Sequence, residues 1–360
     1  MRAAVFRGAG EPLAVEEVVV ADPIGQEVRV RTVAAAVCHS DLHYFRGVLP
    51  VQTPMILGHE SAGVVTAVGP DVTGVRVGDH VVTCNSVFCG QCRSCVSGTP
   101  ARCTAKPRFR SADEAPRFSD ADGEINSLAG IGGFAEEMVV HEHAVAVIDP
   151  AMPMRTAALL GCSVVTGFGA VFHTSPVRPG QDVAVIGCGG VGLNVVQAAR
   201  FAGARRIIAV DRVDSKLEQA KLFGATDVVN TTNTTLTEAI GALSEGGVDH
   251  VFEAVGLKQT IEDAWGALRP GGTVTVIGVV DPNLRIELPA RSLVQEKRLV
   301  GSLMGSNRFR IDVPLYAELY LAGRIRLDEL VGDVTDLSGI EDAFAAMASG
   351  EALRTVVEFA

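Results

Sequence analysis

The feature that most constrains the fold is a glycine-rich turn between an apolar strand and an amphipathic helix. In the segment VAVIGCGGVGLNVVQAAR, Gly187, Gly189 and Gly192 have the spacing G-x-G-x-x-G. Gly187 permits a tight turn, Gly189 lets the backbone approach a pyrophosphate, and Gly192 lets the helix pack closely on the strand. Free N–H groups at the start of the helix, where Gly190 lies, face the phosphates. The segment therefore predicts a dinucleotide-binding turn.

Apolar strands alternate with amphipathic helices on the C-terminal side of Gly180, which predicts a doubly wound α/β domain with a parallel sheet. Up to about residue 147 the sequence instead indicates short strands broken by Gly, Pro and Asp, as in a compact β-rich domain. The polar stretch 104–130 lacks periodicity, and we interpret it as a surface excursion or the rim of a substrate cleft. Pattern alone assigns the tail, 303–360, to neither domain.

An acidic residue is expected about 20 residues after such a turn, where it binds the adenosine ribose. Asp211 ends the strand RIIAVD at this position. Its carboxylate would accept hydrogen bonds from both ribose hydroxyls and repel a 2′-phosphate, which favours NAD over NADP. Arg212 leaves an alternative open, because an arginine here can pair with a 2′-phosphate. We favour stacking of Arg212 on the adenine.

The charge of the chain excludes several classes of partner. A net charge of -11 opposes both a nucleic-acid backbone and an anionic membrane surface. No apolar stretch approaches the roughly 20 residues that a bilayer requires, and acidic residues occupy the place of a signal peptide's apolar core. We therefore expect a cytoplasmic enzyme with a small-molecule substrate, and no nucleic acid or membrane as partner.

Four of the eight cysteines fall within fifteen residues and supply soft ligands for one metal ion: Cys89, Cys92, Cys95 and Cys103. A secreted protein could use such a cluster for disulfides, but a cytoplasmic chain keeps its thiols reduced. Four thiolates form the closed tetrahedral site of a structural zinc. An iron–sulfur cluster is the alternative.

A second possible ligand set is spread along the chain and consists of Cys38, His59 and Cys162. Two thiolates, an imidazole and water are a ligand set that catalytic zinc uses. Spacing alone supports this set weakly, because a lone cysteine is usually a packed core residue.

Taken together, the elements CHSD-x-H, GHE, C-x2-C-x2-C-x7-C and GCGGVG resemble, in this order and over essentially the whole chain, the zinc-containing alcohol dehydrogenases of the medium-chain dehydrogenase/reductase family. The resemblance implies an NAD-dependent enzyme with two zinc ions per subunit. It also implies an α/β fold with two domains: a GroES-like β-rich catalytic domain, 1–162 and 303–360, carrying both zinc sites, and an inserted Rossmann domain, 163–302.

The resemblance also implies roles for single residues. Cys38, His59 and Cys162 match the catalytic zinc ligands, Glu60 a carboxylate near that metal, and the four-cysteine loop the structural zinc site. Further positions match contacts of the cofactor: His39 and Arg354 at the pyrophosphate, Lys216 at the adenosine ribose, Val191 at the nicotinamide and Thr166 at its carboxamide.

A proton must leave the buried site when an alcohol is oxidised. By resemblance, Ser40 contacts the substrate oxygen, a cofactor ribose hydroxyl continues the path, and His43 exchanges the proton with solvent. The alternative for His43 is an ordinary surface histidine. Asp41 is expected to orient the ring of His59 through a ring N–H.

These features favour oxidation of a primary or aromatic alcohol to its aldehyde, with the reverse reaction. An S-(hydroxymethyl)glutathione dehydrogenase ranks second, because that subgroup typically carries an acid before GHE where this chain has Leu49. A polyol dehydrogenase or quinone reductase ranks lower, and a non-catalytic nucleotide-binding protein would be expected to lose zinc ligands. By analogy we expect a homodimer that pairs Rossmann sheets through the strand GGTVTVIGVV.

Overall fold

The computed structural model describes residues 1–349 and 353–360, which form two compact units. The first unit comprises Met1–Cys162 and Arg308–Ala360, and the second comprises Ser163–Asn307. The sequence predicts that the chain returns to the first domain at residue 303, five positions before it does so in the structure. Residues 304–306 belong to the second unit because they pack on its first helix: a Cβ on Gly305 would lie 2.5 Å from the carbonyl oxygen of Val165.

Short strands dominate the N-terminal part of the first unit, as their alternating burial predicts. In chain order its strands and helices are β1 (Arg2–Phe6), β2 (Ala14–Glu17), β3 (Val19–Val20), β4 (Glu27–Ala36), α1 (His39–Phe45), β5 (Met55–Ile56), β6 (Glu60–Val68), β7 (His80–Thr83), α2 (Arg93–Val96), β8 (Phe118–Asp120), β9 (Gly123–Glu124), β10 (Asn126–Ser127), β11 (Glu137–His141), β12 (Val145–Val147) and α3 (Met154–Ala157).

The second unit alternates strand and helix. Its elements are α4 (Ser163–Gly169), β13 (Asp182–Ile186), α5 (Gly190–Phe201), β14 (Arg206–Asp211), α6 (Asp214–Phe223), β15 (Asp227–Asn230), α7 (Leu236–Leu243), β16 (Val248–Glu253), α8 (Lys258–Gly266), β17 (Leu268–Val276) and β18 (Arg298–Gly301). The chain then returns to the first unit with α9 (Phe309–Leu321), β19 (Val331–Thr335), α10 (Ile340–Ser349) and β20 (Arg354–Glu358).

The main sheet of the first unit has seven strands, in the order β12-β7-β6-β4-β20-β19 with β11 also paired to β4. The returning strand β20 pairs antiparallel with the end of β4, opposite Ala34, Ala35 and Ala36. Two smaller sheets, β10-β5-β1-β2 and β3-β8-β9, complete the unit. The tail therefore contributes to the core of the GroES-like part of the fold, where α10 buries Phe344 and Ile340.

The second unit contains a six-stranded parallel sheet in the order β15-β14-β13-β16-β17-β18. Buried Val and Ile fill β13 and β14, as expected for strands covered on both faces. The strand order reverses beside β13, and ligands bind beyond the carboxyl ends of strands at such a point. The expectation that two copies pair through the segment GGTVTVIGVV was wrong. Its first six residues belong to β17, which has a partner strand on each side, so β18 is the edge strand on that side of the sheet.

The stretch 104–130 is ordered by an ionic cluster as well as by short strands. Two of its arginines, Arg110 and Arg117, bind the carboxylate of Glu27 at 2.5 and 2.7 Å, and all three side chains are almost fully buried. Arg117 also donates to the carbonyl oxygen of Gly130 at 3.2 Å. Burial opposes ionisation of the carboxyl, but the two guanidinium groups lower the pKa of Glu27 below its usual value. These ion pairs therefore attach the segment 104–130 to the start of β4.

None of the helices in the described ranges 1–349 and 353–360 is, taken singly, long and apolar enough to cross a membrane, although the bent pair 154–161 and 163–174 together has that length and composition.

Candidate active site

Four buried side chains from distant parts of the sequence converge in the first unit. The ligand atoms of Cys38, His59, Glu60 and Cys162 all lie within 4.8 Å of one another. Cys38 is the N-cap residue of α1, His59 and Glu60 lie at the start of β6, and Cys162 follows a 3₁₀ turn at 158–161. Two sulfur ligands of a tetrahedral zinc with bonds of about 2.3 Å are about 3.8 Å apart, so the cluster has the dimensions of a single-ion site.

Asp41 fixes the orientation of the His59 ring. Its Oδ1 lies 2.9 Å from His59 Nδ1, and its carboxylate also accepts the backbone N–H groups of Cys38 and Gly58, both at 3.2 Å. Burial opposes the charged ring, but the Asp41 carboxylate and the Cys38 thiolate raise the pKa of His59 well above its usual value. With Nδ1 held by Asp41, Nε2 is the nitrogen that can bind a metal.

The two thiols of this cluster interact directly. A hydrogen bond from Cys162 holds the pKa of Cys38 well below its usual value, and the positive charges of Arg354 and His59 act in the same direction. The same contact raises the pKa of Cys162. One thiolate therefore forms readily, and ionisation of the second requires an added cation, which is the chemistry of a metal ligand pair.

Glu60 and Arg354 form a buried ion pair next to the proposed zinc ligands. Arg354 Nη1 is 3.2 Å from Glu60 Oε1 and donates to the carbonyl oxygen of Val37 at 2.9 Å. Burial raises the pKa of Glu60 well above its usual value despite this arginine, and both carboxylate oxygens are buried without a hydrogen bond. Such a carboxyl group is suited to lie near a cation. Arg354 is only 6% exposed, so the structure places it in this cluster, and its contact with a pyrophosphate stays a prediction.

Ser40 and His43 both lie on α1. The hydroxyl of Ser40 donates to Cys38 Sγ at 3.2 Å and is 3.3 Å from His59 Nε2, so it lies at the metal-facing side of the ligands. The His43 ring makes an edge contact with the ring of His39, with centroids 5.0 Å apart. No direct hydrogen bond joins Ser40 to His43 in the described residues, so the relay expected from the sequence requires a further group between them.

The second thiol cluster is formed by Cys89, Cys92, Cys95 and Cys103, whose sulfur atoms also lie within 4.8 Å of one another. Separations of 3.5 Å for Cys92–Cys95, 3.8 Å for Cys92–Cys103 and 3.9 Å for Cys89–Cys95 exceed a disulfide bond and match one tetrahedral ion.

The charges in this cluster also fit one metal ion. Backbone N–H groups of Cys95 and Thr104 lower the pKa of Cys92 to about 6, whereas burial raises the pKa of Cys95 to about 12. The four thiols therefore cannot all ionise without a cation. Because the sulfur atoms are so close together, the site suits a single ion better than the iron–sulfur cluster that the sequence left open.

The glycine-rich turn in the second unit has the predicted geometry. Gly187 has φ +91°, in the left-handed region that favours glycine, and a Cβ on Gly192 would lie 1.7 Å from the carbonyl oxygen of Gly187. A Cβ on Gly189 would meet nothing within 4 Å, which leaves the space that a phosphate needs. Gly190 and Val191 are the first residues of α5.

Asp211 ends β14 beside this turn. Its carboxylate accepts the N–H of Cys188 at 2.8 Å and those of Arg212 and Val213 at 2.7 and 3.1 Å. Arg212 is exposed. Burial raises the pKa of Cys188 to about 12, and the nearby positive charge of Lys216 acts in the opposite direction. The Cys188 side chain is fully buried and therefore packs within the turn.

Thr166 lies on α4 of the second unit, where its hydroxyl contacts the sulfur of Met304 at 3.8 Å. Met304 and Ser306 both have positive φ, 49° and 50°, on either side of Gly305. Sequence analysis gave this irregular loop no role. The only local signal was the pair of small residues, Gly305 and Ser306, after a strand.

Comparison with known proteins agrees with this arrangement. Residues 25–150 match the alcohol dehydrogenase GroES-like domain, and residues 190–318 match the zinc-binding dehydrogenase family. The chain is 36% identical to a probable S-(hydroxymethyl)glutathione dehydrogenase 1 of Schizosaccharomyces pombe, over 99% of this chain and 96% of the relative.

The chain is also similar over its whole length to solved structures. An alcohol dehydrogenase zinc-binding domain protein from Burkholderia ambifaria is 36% identical, with a TM-score of 0.95 over 98% of its length. The benzyl alcohol dehydrogenase of Acinetobacter calcoaceticus is 31% identical, with a TM-score of 0.93 over 99% of its length. The chain therefore belongs to the zinc-containing alcohol dehydrogenases of the medium-chain dehydrogenase/reductase family, and it is a zinc-dependent oxidoreductase that uses a nicotinamide dinucleotide.

Proposed function

We propose that this enzyme interconverts a primary or aromatic alcohol and its aldehyde, with NAD as the hydride carrier. We assign the catalytic zinc to Cys38, His59 and Cys162, and the structural zinc to the four-cysteine loop. The observation that carries the proposal is the buried convergence of these three ligands, with His59 oriented by Asp41 and the Ser40 hydroxyl beside them. Three protein ligands leave one corner of a tetrahedral ion for the substrate.

When bound, zinc supplies a Lewis acid that promotes loss of the hydroxyl proton, and the nicotinamide accepts the hydride. Ser40 is placed to take the proton from the substrate hydroxyl. His43 lies one helical turn further along α1 and is partly exposed, so it suits exchange of this proton with solvent. Asp41 holds the ring of His59 in place throughout, and Glu60 balances the charge behind the ligands.

The cofactor residues of the proposal lie around the glycine turn, at the end of β14 and on α4 and α6, with His39 and Arg354 in the first unit. Asp211 supports NAD as the cofactor, because its carboxylate is held in a fixed position by three N–H groups and would meet a 2′-phosphate with a like charge. Arg212 has no ion pair among the described residues, so stacking on the adenine remains our assignment for it.

Asp211→Gly should raise the ratio of kcat/KM with NADP to that with NAD by about 10- to 100-fold, because the ribose loses its acceptor and the 2′-phosphate loses a repulsion. Initial rates with each cofactor measure this ratio. Asp227→Gly is a matched control, since Asp227 begins β15 at the opposite end of the strands. An unchanged ratio in Asp211→Gly would place ribose recognition elsewhere.

A glutathione-linked substrate is the second candidate. It is supported by the 36% identity to the Schizosaccharomyces pombe relative named for that activity. Against it, the position where that subgroup typically carries an acid is Leu49, whose backbone N–H binds the carbonyl oxygen of His43 in the turn after α1. The likeness to a benzyl alcohol dehydrogenase supports the aromatic alcohol.

The proposal is tested by zinc analysis of the purified enzyme together with NADH formation on aliphatic, benzylic and glutathione-adduct substrates. We expect two zinc ions per chain and the highest kcat/KM with a benzylic or other primary alcohol. A highest value with the glutathione adduct would favour the second candidate. Binding of NAD without turnover of any substrate would indicate a non-catalytic nucleotide-binding protein.

We also propose a cytoplasmic homodimer. The free cysteines suit a reducing compartment, and the unpaired edge of β18 offers backbone groups to a second copy, flanked by the exposed Leu293 and Val294. Light scattering that gives a monomeric mass would refute the dimer.

A further inference from the structure

Glu253 is a fully buried acid at the carboxyl end of β16. Three donors converge on one of its oxygen atoms, Oε1: the backbone N–H groups of Val255 and Gly256 at 2.9 and 2.7 Å, and the hydroxyl of Thr260 at 2.8 Å. The main-chain carbonyl oxygen of Glu253 accepts the N–H of Ile277, just after β17, at 2.7 Å. The side chain therefore fixes the loop that leads from β16 into α8.

The stability of this loop does not by itself account for an acid at position 253. The second carboxyl oxygen of Glu253, Oε2, is buried and has no hydrogen-bond partner among the described residues. Burial raises the pKa of this carboxyl group above its usual value, although the donors at Oε1 act in the opposite direction. A buried polar atom without a partner costs free energy of folding, so the geometry that Oε1 imposes on the loop is the better explanation.

The loop 254–257 adjoins the glycine-rich turn. β13 and β16 are neighbouring parallel strands, and Ile186 at the end of β13 is paired with Glu253. The side chain of Val255 packs directly on the turn, since a Cβ on Gly187 would lie 2.7 Å from the Cγ2 atom of Val255. Val255 is nevertheless 41% exposed, so part of its apolar surface is open beside the turn.

The loop is also confined on the side of β17. A Cβ on Gly256 would lie 2.2 Å from the carbonyl oxygen of Val279, and a Cβ on Gly278 would lie 2.2 Å from the backbone nitrogen of Gly256. The segments that follow β16 and β17 thus pack backbone against backbone. The position of Val255 is therefore determined by this contact together with the hydrogen bonds to Glu253.

In a sheet of this kind the dinucleotide spans the crevice where the strand order reverses, and each half of the sheet holds one of its two nucleotides. The half with β13 and β14 carries the glycine turn and Asp211, which suit the adenosine nucleotide. The nicotinamide nucleotide then belongs to the half with β16 and β17, where the loop 254–257 lies. Ligand pockets are lined mainly by apolar side chains, and Val255 presents such a side chain at this place.

We propose that Glu253 is a positioning residue for the nicotinamide half of the cofactor. Its carboxyl group holds the loop 254–257 so that the side chain of Val255 contacts the nicotinamide nucleotide, and Glu253 itself touches no part of the cofactor. An acid suits this task because a carboxylate oxygen holds several donors more strongly than a neutral acceptor does. The inference rests on the cofactor assignment of the proposed function and adds to it a residue that acts through its neighbours.

The test measures two dissociation constants for each variant: that of NADH by its fluorescence and that of ADP by isothermal titration calorimetry. ADP lacks the nicotinamide nucleotide, so it reports on the glycine turn and Asp211 alone. Glu253→Ala should raise the dissociation constant of NADH by about 10-fold or more and that of ADP by less than about twofold. Glu253→Gln keeps an oxygen acceptor and should stay within about threefold of the unaltered enzyme for both ligands.

Glu245→Ala is the matched control, because Glu245 is an exposed acid that precedes β16 at the opposite end of the strand. It should leave both dissociation constants unchanged. Val255→Ala tests the contact itself and should raise the dissociation constant of NADH about threefold without affecting that of ADP. If thermal unfolding shows that Glu253→Ala does not fold, Val255→Ala and Thr260→Val carry the comparison. Thr260→Val removes one of the three donors and should also weaken NADH binding about threefold.

An equal rise of both dissociation constants in Glu253→Ala, or no rise in either, would overturn the inference. A folded Glu253→Gln variant that binds NADH as weakly as Glu253→Ala would also overturn it, because the acceptor at Oε1 would then be irrelevant. Unchanged NADH binding in both Val255→Ala and Thr260→Val has the same meaning. Failure of the unaltered enzyme to bind either NADH or ADP would instead overturn the cofactor assignment of the proposed function.

Discussion

Cys38→Ser should lower kcat/KM for the best alcohol by about 10³-fold or more, which corresponds to about 4 kcal/mol of lost transition-state stabilisation. The reason is that Cys38 is one of three protein ligands that converge on a single-ion site, and a serine hydroxyl binds zinc far more weakly than a thiolate. Zinc content should fall from two ions per chain towards one. Binding of NAD, followed by the fluorescence of added NADH, should be largely retained because the glycine turn and Asp211 belong to the other unit.

Cys84→Ser provides the matched control for this variant. Cys84 is equally buried and lies near His59, but it is not among the converging ligand atoms. Its serine variant should keep two zinc ions and most of the activity. If Cys38→Ser retained full turnover and both ions, Cys38 would be removed from the ligand set and the assigned catalytic site would be wrong.

Cys95→Ser should mainly affect stability. Structural zinc contributes roughly 10–16 kcal/mol to the folding of small zinc domains. Loss of even about 4 kcal/mol lowers Tm by roughly 10 °C in a protein unit of this size. We expect a melting temperature lower by at least this amount, one zinc ion per chain, and a kcat per correctly folded molecule within about threefold of the unaltered enzyme.

Differential scanning calorimetry, with zinc analysis of the same sample, measures both quantities. The Cys84→Ser control is again appropriate, because it changes a cysteine of the same unit outside the four-cysteine cluster. A normal Tm in Cys95→Ser would argue against a structural metal. A selective loss of kcat at normal Tm would assign the cluster a catalytic role that its closed set of four thiolates does not suggest.

Sequence patterns predict the parts of the molecule whose requirements are local. Gly192 has to be glycine because a Cβ there would lie 1.7 Å from a carbonyl oxygen five residues earlier in the same turn. The four cysteines of the structural site lie within one loop, so their spacing alone indicates that they bind the same metal ion. The alternation of strand and helix likewise predicts the parallel sheet, because each βαβ unit is a local pattern.

The catalytic cluster could not be derived in this way. Cys38 and Cys162 are separated by most of the first unit. The pairing of β4 with β6 brings Cys38 to His59 and Glu60, whereas Cys162 is positioned by the close packing of Gly161 on β7, where a Cβ would lie 2.1 Å from the carbonyl oxygen of Thr83. The resemblance to a family, and not spacing, suggested these ligands. The edge position of β18 was missed because strand order is a long-range property.

The fastening of the segment 104–130 to Glu27 has a consequence for how such enzymes diversify. Two internal arginines carry the attachment, whereas the intervening residues 111–115 are exposed and contribute no core packing. Insertions or exchanges in that tip can therefore accumulate without disturbing the scaffold. Libraries that randomise the tip while retaining Glu27, Arg110 and Arg117 should yield a high proportion of folded variants.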